Sequence, residues 1–395
     1  MSDEAAIATN ASYDLDDRYD RKPLLRSVRR IVLKVGTHIL SREDYLLDEE
    51  FIEGLVVQAA QARARGVEVA IVTSGAVAAG MGSVGMRERP RELDVLQALA
   101  AIGQSVVMYR YKQAARTHGL RVAQVLLTAA DLSRKAGYLH VQNAFRAIFR
   151  LGALPVVNEN DSVAVEELRF GDNDSLSAHV ANLIGADLLL IFTDIDGLYE
   201  GPPHGTPPPP LVRTVRRIDR RVERLCGLSA SGVGIGGMRT KVQAARTLAA
   251  SGVPTIIAHG RRTTVAEVLD GAPVGTLFLP QADRKRGHYR WILAHKVAGT
   301  LVVDDGAAHA LIQRGTSLLP SGIRHVHGTF AAGDAVSIAR LDGGEIARGI
   351  ARYPSSDVRT LAGHHTRDIA GLLGYHGGDE IVHRDDMVMV TNGDS

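Results

Sequence analysis

The sequence predicts an α/β protein: a three-layer sandwich around a mostly parallel sheet, followed by a small β-rich domain. Three observations predict this. Apolar runs of strand length recur over the first 280 residues, helical patterns lie between them, and beyond residue 297 the pattern changes to short strands between glycine turns. Strands buried on both faces read as nearly continuous apolar runs. Their alternation with helices argues for parallel βαβ units.

Residues 1–27 lack the apolar core of a secretory signal, and Asp14, Asp16, Asp17 and Asp20 are wrong for an acid-poor transit peptide. They read as a flexible extension. The strands expected next are Arg30–Val35, Val67–Thr73, Arg121–Leu127, Ala153–Val157, Asp187–Thr193 and Val253–Ala258. Between them the 3.6-residue period predicts helices over Glu50–Arg65, Arg91–His118, Tyr138–Arg150, Asp174–Ile184 and Arg239–Ala250. The layered domain should therefore span 28–280. Inside it, the proline-rich stretch Glu200–Leu211 is expected to be a stiff surface loop. Gly227–Gly237 is expected to be mobile and able to bring backbone N–H groups to a ligand. A basic linker, 281–296, leads to the second domain, 297–390. There, strands are expected near Thr300–Val303, Ala335–Leu341 and Met387–Val390, with helical stretches near Ala307–Arg314 and Ser356–Leu373.

Composition narrows the class. A chain of 395 residues favours two domains, and 45% hydrophobic with 23% charged residues is globular rather than disordered. A formal charge of +2 points to no nucleic-acid or membrane surface. The lone Cys226 excludes an internal disulfide, no Cys/His cluster has zinc spacing, and no apolar run reaches membrane-spanning length. A cytoplasmic protein is expected.

Four motifs close predicted strands: Lys34-Val35-Gly36-Thr37, Thr73-Ser74-Gly75-Ala76, Asn158-Glu159-Asn160-Asp161 and Thr193-Asp194. Ligands of open parallel sheets bind at the carboxyl ends of the strands, so the four should build one site. A lysine inside an apolar run is costly unless it reaches an anion, and Gly36 lets backbone approach that anion; its bland alternative is a lysine emerging into solvent. Ser74 and Gly75 open a helix whose free N–H groups suit a carboxylate or phosphate, or Ser74 is simply its N-cap. Asp161, with Asp172, Asn173 and Asp174, forms the densest group of acids and amides. Its acids can hold Mg2+ or orient an ammonium, and its asparagines can bind a carboxylate through N–H donors, although Asp174 with Ser175 could equally cap the next helix. Gly232 to Gly237 fits GxGxxG but follows no strand, which excludes a dinucleotide fingerprint. With Met238, Arg239, Thr240 and Lys241 behind it, the loop could instead fold over a triphosphate. These features point to phosphoryl transfer.

Together these motifs, from Val32–Thr37 through Ile71–Gly80, Val157–Val163, Gly171–Ser177, Thr193–Tyr199 and Gly236–Lys241 to Arg384–Met387, resemble the bacterial glutamate 5-kinase family of the amino acid kinase superfamily. The resemblance implies an amino acid kinase-like sandwich followed by a PUA domain. It implies that Lys34, Gly36, Thr193, Asp194 and the loop Ile235, Gly236, Gly237, Met238, Arg239, Thr240, Lys241 contact ATP. It places Ser74, Gly75, Asp161, Asp172 and Asn173 around L-glutamate, makes Lys34, Lys241 and Asp174 catalytic, and brings Mg2+ mainly through ATP rather than on a dedicated metal site. The expected reaction gives L-glutamyl 5-phosphate, the first step of proline biosynthesis, in a homodimer or homotetramer open to feedback inhibition by L-proline. His38, where the family often carries serine, the long proline-rich insertion and residues 1–27 depart from the pattern. The alternatives are a sibling kinase acting on acetylglutamate, aspartate, carbamate or UMP, and an RNA-binding protein acting through the PUA-like domain and the basic residues Arg284, Lys285, Arg286 and Arg290. RNA binding as an accessory role stays undecided at this point.

Overall fold

The structure is a computed structural model that describes residues 12–15, 18–42, 45–133, 135–163, 173–202, 207, 209–227, 237–281 and 297–390. The chain divides into two compact units, residues 1–133 with 141–283 and residues 134–140 with 284–395.

In the first unit the described strands are β1 (Tyr13–Asp14), β2 (Arg30–Val35), β3 (Glu68–Val72), β4 (Arg121–Leu127), β5 (Ala153–Glu159), β6 (Leu188–Thr193), β7 (Thr214–Val215), β8 (Thr255–His259) and β9 (Thr276–Phe278). They form one sheet in the order β1-β7-β9-β8-β6-β2-β3-β5-β4. Only the β1/β7 and β8/β9 pairs are antiparallel, so the sheet is mostly parallel as expected. The helices are α1 (Lys22–Arg26), α2 (Thr37–Leu40), α3 (Glu49–Ala64), α4 (Ala76–Val84), α5 (Leu93–Thr117), α6 (Ala129–Ser133), α7 (Lys135–Arg150, of which residues 135–140 fall in the second unit), α8 (Asn173–Ile184), α9 (Arg220–Gly227), α10 (Met238–Ala250) and α11 (Val265–Leu269).

The two-residue period of a strand decides which layer each side chain enters. Ile31, Leu33 and Val35 of β2 join Ile71 of β3 and Leu190 and Phe192 of β6 in one core with Ile52, Leu55 and Val56 of α3 and Val107 and Tyr111 of α5. The alternate residues, Val32 and Lys34, therefore face the opposite layer, where α8 packs on β2 and α10 packs on α8. On the first face α4 and α5 approach closely. A Cβ on Gly80 would lie 2.0 Å from the Leu99 carbonyl oxygen, and one on Gly103 would lie 1.8 Å from that of Ala76.

The described residues 12–15 and 18–27 are not the loose extension the sequence implies. Tyr13 pairs with Val215, and Leu25 belongs to the core. Arg21, only 1% exposed, donates to the carbonyls of Val274 at 2.6 Å and Arg213 at 2.7 Å. Composition hides this anchor because a guanidinium bound to main-chain carbonyls leaves no apolar signal. The arms of the proline-rich segment pair as expected of a surface excursion, with Tyr199 bridged to Leu211; residues 203–206 and 208 lie outside the described residues.

In the second unit β10 (Gly299–Val303), β11 (Ile323–Gly328), β12 (Ala335–Ala339), β13 (Glu345–Ile350) and β14 (Met387–Met389) form a sheet in the order β11-β10-β12-β13-β14. Helices α12 (Asp305–Arg314), α13 (Ser355–Leu361) and α14 (Ile369–Leu373) accompany it. The single helical stretch expected over Ser356–Leu373 is broken, because Gly363 adopts φ +79°. Strands β11 and β13 had no clear sequence signal: Arg324, His325 and His327 of β11 are exposed, and Glu345 and Arg348 of β13 pair with each other at 2.8 Å.

Candidate active site

The carboxyl end of β2 carries Lys34, opposite Val72 of β3 and Ile191 of β6. Its ammonium lies 2.5 Å from Oδ1 of Asp174, the second residue of α8. Lys241 reaches the same carboxylate from α10, 3.1 Å from Oδ2. It can do so because Lys241 shares a buried helical face with Met238, Val242, Ala245 and Leu248. Thr240 Oγ1 donates to Oδ2 at 2.7 Å. Asp174 is fully buried, with Lys34 at 4% and Lys241 at 6% exposure. Burial opposes ionisation of Asp174, yet the two ammonium groups and the Thr240 hydroxyl outweigh it and hold its pKa below the ordinary carboxylate range. Two ammonium charges and one carboxylate give the group a formal charge of +1, placed where an anionic ligand would dock.

Asp174 is thus not occupied in capping α8, the bland reading of its position. Ser74 is likewise no N-cap: Gly75 caps α4 at φ +90° with no side-chain bond. A Cβ at Gly75 would have room, so backbone conformation rather than space favours glycine there. Ser74 instead belongs to a network beside the lysines. Asn173 Nδ2 lies 2.7 Å from the Thr73 carbonyl, 2.9 Å from Ser74 Oγ and 2.9 Å from Asn158 Oδ1. Asn158, 1% exposed, donates to Gln104 Oε1 at 2.8 Å, and Thr73 Oγ1 meets the Tyr111 hydroxyl at 3.0 Å. Burial pushes the Tyr111 pKa up, so that hydroxyl stays neutral. The amide N–H groups of Asn173 are therefore directed at protein acceptors, where the sequence reading had them donate to a substrate carboxylate. Gln104 and Tyr111 sit mid-helix in α5 and carry no sequence signal for this role. Asn158 could have been found from its motif.

Asp161 lies half-buried in the turn after β5. Thr193, at the end of β6 and on the same side as Lys34, donates to Asp194 at 3.0 Å, and Asp194 is exposed. Gly36 has an extended φ of −80°, and a Cβ there would lie 3.7 Å from Lys34 Nζ. Strain does not require this glycine; what it keeps open is the approach to the ammonium. Gly237 caps α10, Arg239 is exposed, and Met238 turns its side chain into the protein, so Met238 offers a ligand only its backbone. Asp172, Ile235 and Gly236 lie outside the described residues, as do Arg284, Lys285, Arg286 and Arg290.

A cavity of about 390 Å³ lies elsewhere. Lys22, Arg26, Arg29, Arg65 and Asp270 line it at the amino ends of β2 and β3. There the carbonyl ends of α1, α3 and α11 face the arginines, which complement their negative dipole ends. None of the lysine, carboxylate and amide groups of the strand-end site reaches it.

A family model described as the amino acid kinase family matches residues 29–259, and one described as the PUA domain matches residues 299–373. The chain belongs to the amino acid kinase family, on its glutamate 5-kinase branch. Glutamate 5-kinase of Trichlorobacter lovleyi is 48% identical over 94% of this chain and 100% of its own length. Those of Deinococcus radiodurans and Escherichia fergusonii are 45% and 43% identical, each over 91% of this chain and over 100% and 98% of their own. A solved carbamate kinase from Giardia aligns with 64% of this chain and 99% of its own at 16% identity and a TM-score of 0.47.

Proposed function

We propose that this protein transfers the γ-phosphoryl group of ATP to the side-chain carboxylate of L-glutamate, giving L-glutamyl 5-phosphate and ADP, the first step of proline biosynthesis. The observation that carries the reading is the convergence of Lys34 and Lys241 on buried Asp174 at the carboxyl edge of the sheet. A carboxylate acceptor with a pKa near ~4.3 is ionised at neutral pH and needs no general base. The obstacle is bringing an anion up to a polyanion, and it is met by positive charge and in-line positioning. Lys34 and Lys241 touch the transferring group and stabilise the charge developing on it. Asp174 holds the two ammonium groups in place.

Thr193, Asp194, Gly36 and the segment 235–241 hold the nucleotide. The first-turn N–H groups of α4, behind Ser74 and Gly75, receive a carboxylate of glutamate. Asp161 and the Oδ1 atom of Asn173 receive its α-ammonium, with Asp172 alongside. Asp174 is already committed to two ammonium groups, and among the described residues no three His, Cys, Asp or Glu side chains are grouped to hold a metal. Mg2+ carried in with ATP would neutralise phosphate charge there.

The protein is proposed to be cytoplasmic; among the described residues no helix is long and apolar enough to cross a membrane. It is also proposed to form a homo-oligomer, because α5 exposes Ile102 and Tyr109 and β4 ends the sheet, and light scattering of the purified chain tests this. A coupled ADP-release assay across L-glutamate, acetylglutamate, aspartate, carbamate and UMP tests the activity. Turnover with L-glutamate is expected; preference for another acceptor overturns the reading. Added L-proline in the same assay tests feedback inhibition.

A further inference from the structure

We infer that Arg261 is a positioning residue for the nucleotide, acting by pinning the turn beside Lys34 to the end of β6. The inference rests on the kinase reading above and deepens it. Arg261 follows β8 in a tightly wedged loop. The Gly260 N–H donates to the Thr193 carbonyl at 2.9 Å, and a Cβ on Gly260 would lie 2.8 Å from Ile39 Cδ1 and 2.9 Å from Phe192 Cβ. The next residue closes a three-way tie. Nη2 of Arg261 donates to Asp48 Oδ2 at 2.6 Å and to the Ile39 carbonyl at 3.2 Å, while its guanidinium carbon lies 5.2 Å from the centre of the Phe51 ring. Asp48 is itself fixed: its Oδ1 accepts from the Phe51 N–H at 3.1 Å, and its own N–H donates to the Leu40 carbonyl at 2.8 Å.

The object of this tie is α2. A four-residue helix is too short to persist on its own, so its placement is set by what grips it. Its leading end is Gly36, the open backbone position beside Lys34 Nζ. Its trailing carbonyls, Ile39 and Leu40, are the ones held by Arg261 and Asp48. The other cation near Asp48, Arg42, stands 3.9 Å away and is exposed, so the Arg261 fork supplies the close contact. The same loop hydrogen-bonds Thr193, at the strand end assigned to the nucleotide. Loosening Arg261 thus frees the backbone next to Lys34 with respect to β6, while the Asp174 group and the Asn173 network keep their own contacts.

The test uses Arg261→Met, which keeps the stem over Phe51 and deletes the fork, Arg261→Lys, which keeps the charge alone, and Asp48→Asn, which keeps an acceptor for the α3 cap. Equilibrium affinity for Mg-ATP is measured by calorimetry, with both KM values and the melting temperature. Arg261→Met is expected to weaken ATP about tenfold, the scale of a lost charge-assisted hydrogen bond. The KM for glutamate should stay within about twofold. Arg261→Lys should recover part of the loss, and Asp48→Asn combined with Arg261→Met should be no worse than the weaker single variant. ATP affinity unchanged in Arg261→Met, equal weakening toward ATP and glutamate, or independent effects of the two sites would each overturn the inference. A wild-type protein that binds ATP but does not phosphorylate glutamate would instead sink the proposed reaction, and the ATP titrations would still judge Arg261.

Discussion

Asp174→Asn removes the one negative charge between two buried ammonium groups, 2.5 Å and 3.1 Å away, while keeping the size of the side chain. Breaking a buried ionic group by deleting one partner costs on the order of 3–5 kcal/mol. At about 2–4 °C per kcal/mol for a domain of this size, the melting temperature should fall by roughly 6–20 °C. Asparagine still offers Thr240 an acceptor, which favours the lower half of that range. Catalysis should suffer as well, because the lysines lose the group that aims them; one preorganised electrostatic contact is worth about 3–4 kcal/mol, a loss of a hundredfold or more in kcat. The two effects separate in one experiment. ATP brings its own anions to Lys34 and Lys241, so saturating nucleotide should restore more stability to the variant than it adds to the wild type. Melting curves with and without ATP, read beside the coupled ADP-release assay, provide the measurement. Less than a tenfold loss in kcat together with a melting temperature within about 2 °C of the wild type would refute the reasoning, since neither outcome is compatible with a carboxylate that holds both lysines.

Further predictions concern the same neighbourhood. The folded-state pKa of Asp174 is depressed, so its ion pairs stabilise the fold fully above about pH 4 and that contribution is lost as pH falls through the lower folded value. Urea titrations should therefore show the gap between the wild type and Asp174→Asn holding constant above about pH 4 and narrowing only below it; a gap that closes near pH 6 contradicts this. Lys34→Ala and Lys241→Ala should each lower kcat by about a hundredfold, and losses below tenfold for both in steady-state kinetics would dismiss their role. Asn173→Ala should raise the KM for glutamate far more than that for ATP, because it disrupts the Ser74 and Asn158 network without touching the lysines; equal shifts would misplace the substrate pocket. Gly103→Ala should destabilise by more than about 3 kcal/mol, since its Cβ would need space held by the Ala76 carbonyl, and a denaturation midpoint near the wild-type value would show that α4 and α5 can part freely.

Several features could be read directly from the residue order. Lys34 stood out as a charge inside an apolar run, and Lys241 as a lysine one turn beyond a glycine-rich stretch. The strands β2, β3, β5, β6 and β8 were visible because strands covered on both faces leave long apolar runs, and the partly exposed β4 through its apolar Val122, Ala123, Val125, Leu126 and Leu127. Short strands such as β1, β7 and β9, of two or three residues each, left no such trace, and neither did β11, whose exposed positions are polar. Arg21 and Leu25 show the same limit from another side, since an acid-rich segment looked detached while one buried guanidinium and one leucine fastened it. Gln104, Tyr111, Arg261 and Asp48 belong to no strand-end motif, and nothing local marks them.

By itself, the residue order determined the α/β class and pointed to a strand-end site and to phosphoryl transfer, because these follow from periodicity, burial preference and residue type, all of which are local. Only the tertiary structure decided the partners. Asp174 reads as a helix cap until the sheet order β6-β2-β3 and the packing of α10 on α8 place two ammonium groups on it. Ion pairs and hydrogen bonds depend on distance through space, and distance along the chain does not specify that.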